Sequence, residues 1–144
     1  MKKLNNKGFS LVELIIVIAI MAILAAALAP QLIKYIEKSR ISSDKTSAAS
    51  VKTAFDTAIA NDQAYDDALT GKKVECTDST DLAFDGTDTV LTSEMAKTLS
   101  DLKPAKSKKY KGQKYWVSWE VDDAGDGIGS IEFGLGADSS ENIK

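Results

Sequence analysis

One carboxylate stands inside the apolar run at the start of this chain. Between residues 9 and 29, Glu13 and Ser10 are the only polar side chains. An acid at the centre of a bilayer costs about 2.5–3.5 kcal/mol on insertion scales, so Glu13 needs a partner. Glu13 and Phe9 are four residues apart, which in a helix puts them one turn apart on one face. A cation at that end of the run would be such a partner, because opposite charges attract strongly where water is scarce. The alternative, a snorkelling acid without a partner, leaves the insertion cost uncompensated.

Other chemistry is thinly represented. The sequence has no histidine, which removes Ser-His-Asp and Cys-His dyads and every histidine metal ligand. The single cysteine, Cys76, has no partner for a disulfide within this sequence and reads as a small buried hydrophobe. Asp122, Asp123 and Asp126 are candidate calcium ligands. Their spacing fits no calcium motif, and a hairpin turn uses the same residues. Lys103, Lys106, Lys108, Lys109, Lys111 and Lys114 surround Tyr110. We read them as a solvated loop and a lysine-protected strand edge. With Lys+Arg 18 against Asp+Glu 21 and a net charge of −3, a nucleic-acid partner is disfavoured. No catalytic constellation is present, so an enzyme is not expected, and neither is a cofactor or metal.

The elements that must position Glu13 follow from the hydropathy pattern. Residues 9–29 form a helix of about 32 Å, the thickness of a hydrocarbon core. Lys2, Lys3 and Lys7 in the leader place the N-terminus in the cytoplasm and the remainder outside. A cleaved secretory signal is the competing reading, but it leaves Glu13 unexplained. Pro30 lacks an N–H and is expected to kink the helix.

The stretch Lys7-Gly8-Phe9-Ser10-Leu11-Val12-Glu13-Leu14, with its aliphatic run and Pro30, resembles the class III signal of type IV pilins and pseudopilins. The resemblance covers about the first quarter of the chain. It implies cleavage by a prepilin peptidase between Gly8 and Phe9, N-methylation of Phe9, and an assembly salt bridge from Glu13 to the amine of a neighbouring subunit. It implies a homo-oligomeric helical filament, built by an assembly platform and its ATPase machinery from a single-pass precursor in the cytoplasmic membrane. The function implied is that of a structural subunit of a type IV pilus at the cell surface. The alternative is a pseudopilin of a type II secretion or competence (DNA uptake) system. Ser10 replaces the family's common threonine, and Ala22 stands where many members have glycine. The absence of a cysteine pair points to a Gram-positive or other anaerobic source, since many pilins of double-membrane bacteria close a C-terminal loop with a disulfide.

The expected fold is α+β, a long N-terminal helix packed against a small C-terminal antiparallel sheet. Residues 1–8 are a removable leader, 9–30 the transmembrane and assembly helix, 31–60 its continuation, and 61–144 a globular head. The middle of the helix, 37–47, is nearly all polar and is expected to emerge before the helix docks on the head. Residues 71–90 read as a loop with one short strand near Leu82–Phe84. Thr92 or Ser93 caps a short helix whose Leu91, Met95, Leu99 and Leu102 share a face, ended by Pro104. Residues 115–121 and 130–135 alternate with period two and form a hairpin whose apolar face packs near Val51 and Phe55. The tail, 138–144, is polar and expected to fray.

Overall fold

A stripe of small and apolar residues on one long helix organises the fold. The computed structural model describes residues 9–86 and 90–136. Helix α1 spans Leu11–Ala58, with Pro30 inside it. Its buried residues are Asp44, Ala48, Val51, Ala54, Phe55 and Ala58. Steps of three and four place them on one face. Three alanines in that stripe let the sheet approach closely.

The chain divides into two compact units, 1–36 and 37–144. In the described part of the first, the helix has no burial at all: every large apolar side chain from Phe9 to Ile36 is exposed. Part of α1 is long and apolar enough to cross a membrane.

The second unit is the α+β head. Its elements after α1 are α2 (Asp62–Thr70), β1 (Lys73–Cys76), β2 (Ala83–Phe84), α3 (Val90–Thr98), β3 (Tyr115–Val121) and β4 (Ile128–Leu135). They form one antiparallel sheet in the order β2-β1-β3-β4. The expected hairpin is β3–β4, paired from Tyr115↔Leu135 to Val121↔Ile128 with an irregularity between Trp119 and Val121.

Trp119 ties the layers together. Its ring stacks on Phe55 of α1 at 4.3 Å between centroids and on Phe84 of β2 at 6.1 Å. Its indole N–H donates to the Ala68 carbonyl of α2 at 2.8 Å. One side chain thus links helix, sheet and second helix, and its polar end is satisfied as a buried indole requires.

Several expectations change. Strand β1 falls within residues 71–90, expected as a loop, and α2 is an element for which the sequence reading gave no expectation. Asn61 restarts the helix as its N-cap, its side chain accepting from the Gln63 and Ala64 amides. Strand β1 is short and flanked by charges, yet it occupies an inner position because Val74 and Cys76 face the core. Helix α3 begins at Val90, before Thr92 and Ser93, so neither is its cap. The Leu91 amide instead donates to the buried carboxylate of Asp67 at 3.0 Å, a cap supplied by another helix. Leu99 and Leu102 join the core from beyond the end of α3, so the helix stops well before Pro104.

The lysine-rich segment is also placed differently. Lys114 leads into β3, an inner strand, and so guards no sheet edge. The backbone of that segment is gripped by α1. Asp44, 2 % exposed, accepts from the Lys106 and Ser107 amides at 2.9 and 2.8 Å, and Glu37 accepts from the Lys108 amide. The polar stretch 37–47 therefore begins the docking, with the carboxylates of Glu37 and Asp44 beside Ile41, which packs against the core. Ala105, Ser107 and Tyr110 turn inward while Lys106, Lys108, Lys109 and Lys111 stay exposed.

Trp116, on the face it shares with Ser118 and Glu120, is buried against Gly134, where an added Cβ would meet the indole ring at 2.5 Å. Only a glycine leaves the ring room, and the Lys73 ammonium lies 5.9 Å from its centroid.

Cys76 is fully buried and uncrosslinked. Burial, reinforced by nearby Asp81 and Asp78, pushes its thiol up to about 12. The folded head thus favours the neutral thiol. The stability contributed is complete below pH 9, the ordinary thiol value, and is lost as pH rises through 12. Cys76 should resist a disulfide reagent at pH 8 in the folded chain and react at once in guanidinium. Rapid labelling of the folded protein at pH 8 would contradict the buried placement. Asp44→Ala should destabilise the head by about 2–4 kcal/mol, since it strands two buried amide donors. Thermal melting of the full chain in detergent reads this directly.

Candidate functional site

The start of α1 determines what Glu13 can do. The helix begins at Leu11, so Phe9 lies outside it and the pair is not stacked one turn apart as expected. Ser10 takes the N-cap position: its hydroxyl accepts from the Val12 amide at 3.4 Å. Glu13, at the third helical position, reaches back and accepts from the Ser10 amide at 2.9 Å. The Leu14 amide donates to the Ser10 carbonyl at 3.2 Å, closing the first turn. This is a capping box, Ser-x-x-Glu, in which two otherwise unpaired helix-start donors are satisfied reciprocally. The carboxylate also complements the positive end of the helix dipole.

The capping box was absent from the spacing argument, which weighed Glu13 as an ion-pair partner or as an unpaired acid. The signal was present in the sequence, since Ser10 and Glu13 stand three apart before an apolar run. The box places the carboxylate on the backbone amide of Ser10, the residue that follows Phe9. Phe9 is 87 % exposed and Glu13 is exposed as well. Gly8 lies outside the described residues. Pro30 sits within the unbroken helix, among side chains that are all exposed.

Comparison with known proteins fixes the character of this segment. Residues 3–29 match the family model of the prokaryotic N-terminal methylation motif. One relative is a type IV major fimbrial protein FimA of Dichelobacter nodosus, 39% identical over 71 residues, which is 49% of this chain and 44% of the relative. Another FimA of the same organism is 44% identical over 59 residues, 41% of this chain and 37% of the relative. The chain spans less than half the length of the curated relatives it matches. No solved structure matches it significantly.

The other candidate sites resolve into structure. The Asp122 carboxylate accepts from the Asp126 amide at 3.1 Å. The Asp122 amide donates to the Gly127 carbonyl at 2.9 Å, and the Gly125 amide to the Asp122 carbonyl at 3.0 Å. Gly125 takes a φ of 76° there, a left-handed value that favours glycine. The Asp126 N–H above all holds the Asp122 carboxyl below the usual carboxylate range. Among the described residues, no group of three or more histidine, cysteine or acidic side chains is placed to hold a metal. Asp122 therefore acts as the anchor of the β3–β4 turn.

The capping box can be separated from the charge. Glu13→Ala should speed hydrogen exchange of the Ser10 amide about fivefold, the equivalent of roughly 1 kcal/mol of cap. Glu13→Gln should leave that exchange nearly unchanged, because an amide oxygen accepts the same bond. Equal exchange in both variants would show that Glu13 does not cap the helix.

Proposed function

We propose that this chain is a structural subunit of a type IV pilus, polymerising through its N-terminal helix after removal of its leader. The observation that carries the reading is the helix surface from Phe9 to Ile36, apolar and exposed on all sides, preceded by the methylation motif at residues 3–29. A soluble protein does not leave so large an apolar surface uncovered. In a precursor, lipid covers it; in a filament, the same surface on neighbouring copies does. The precursor spans the cytoplasmic membrane once, with its N-terminus inside and its head outside. Prepilin peptidase cuts between Gly8 and Phe9, and Phe9 is then N-methylated. An assembly platform and its ATPase add subunits to the growing fibre, and a bend at Pro30 fits the helices into its core. The chain is a building block and performs no catalysis.

Glu13 then has two successive partners. In the single chain it caps its own helix. In the filament it accepts the amine of Phe9 from a neighbouring copy, and the charge pair is formed in a medium where it is strong. The relatives' description as major fimbrial proteins favours a pilus over the pseudopilin of a secretion or DNA-uptake apparatus.

Filaments sheared from cells should contain a chain beginning at Phe9, as mass spectrometry of the intact subunit reports. Glu13→Gln keeps the cap and removes the charge. It should therefore cut filament yield by at least tenfold while the precursor still accumulates in the membrane. Filaments that begin at Met1, or normal yield from Glu13→Gln, would refute the assembly role of Glu13.

A further inference from the structure

The charges of the head are divided between its two ends, with α1 as the ruler. Near residues 37 and 44 of α1 lies the lysine-rich segment, held by its backbone to Glu37 and Asp44. The inward turn of Ala105, Ser107 and Tyr110 leaves Lys106, Lys108, Lys109 and Lys111 exposed there. Lys38, Arg40 and Lys45 of α1 are exposed at the same level. At the other end, α1 stops at Ala58 and α2 begins at Asp62. The turn between β3 and β4 is fastened to this end, where the Tyr65 hydroxyl donates to the Asp126 carbonyl at 3.3 Å. Asp62, Asp66, Asp122, Asp123 and Asp126 are all exposed around that junction. From Asp44 to Ala58 the helix rises about 21 Å, well beyond a Debye length at physiological salt. The two clusters therefore do not neutralise each other within one head.

We propose that these ends form a head-to-tail interface between copies of this chain, the acidic α2 and β3–β4 turn end of one head seating on the lysine segment of the next. The occupant of each surface is the opposite surface of a second copy. The argument is charge complementarity at the two ends of one axis, and it rests on the filament reading above. Two different patches that fit each other make a heterologous contact, and such a contact does not close on itself: it propagates as a fibre. The apolar helices supply adhesion without regard to rotation. Charged ends that attract in one register and repel in others select that register.

Charge reversal at each end tests this in the full chain in cells. Lys108→Glu with Lys111→Glu reverses the basic end, and Asp66→Lys with Asp123→Lys the acidic end. None of these side chains anchors the fold in a described contact. Each double variant should lower sheared-filament yield at least tenfold, with the melting temperature of the detergent-solubilised chain unchanged. The fourfold variant restores complementarity with exchanged signs and should recover most of the yield. Double variants that assemble like the parent, or a fourfold variant that melts normally but stays as poor as the doubles, would overturn the interface. If the unmodified chain forms no filaments, the filament reading falls and this inference with it. Normal filaments from both parent and reversed chains remove this inference alone. Lys108→Gln with Lys111→Gln should give an intermediate loss; a loss as deep as reversal would point to a structural need for the lysines.

Discussion

A helix surface that its own chain does not cover is the constraint on which the rest depends. From Leu11 to Ile36, α1 presents sixteen large apolar side chains to its surroundings. Among the described residues nothing covers them, and so large an uncovered apolar surface calls for a cover from outside the chain. The same helix changes character further along, where burial narrows to one stripe from Asp44 to Ala58. One element thus serves two environments. The head must be stable with only that stripe as its share of α1, and Trp119 answers this by joining α1, α2 and the sheet through one ring and one hydrogen bond.

Much of this was legible in the residues. The apolar run, its embedded acid and the glycine before it carry a pattern that few other segments share, and the hairpin showed in the period-two alternation after Tyr115. What the sequence concealed were interactions whose partners lie far apart along the chain. Asp67 accepts the Leu91 amide at the start of α3 from another helix, a contact that no local pattern announces. Asp44 looks like one more polar residue of a solvated helix turn, yet it is buried because two amides of a segment about sixty residues away point at it. Strand β1 is flanked by lysine and acid and has too few residues for alternation to show; its neighbours in the sheet define it. The capping box was a different kind of omission. Its signature, Ser10 and Glu13 three apart, is local, and the partner of the carboxylate is a backbone donor three residues upstream and not a charge.

The head is held by packing and by carboxylates that accept backbone amides, rather than by surface ion pairs. Asp44, Asp67, Asp81 and Asp85 each accept N–H groups from segments that lack regular pairing partners. This lets long connections lie close to the core without unsatisfied donors. It also leaves the lysines of residues 103–111 pointing outward, since their backbone is the part that is tied down. The electrostatic polarity of the head is thus a by-product of how its loop is fastened.

The buried, uncrosslinked state of Cys76 reaches beyond stability. A head whose integrity depends on a disulfide is finished only after an oxidant and an exchange catalyst have met it outside the cell. Here the sulfur is sealed in the core as a neutral thiol, and the described fold contains no bond that waits for oxidation. Folding of the described head therefore calls for no oxidant, and it proceeds alike in oxygen-free and oxygenated surroundings.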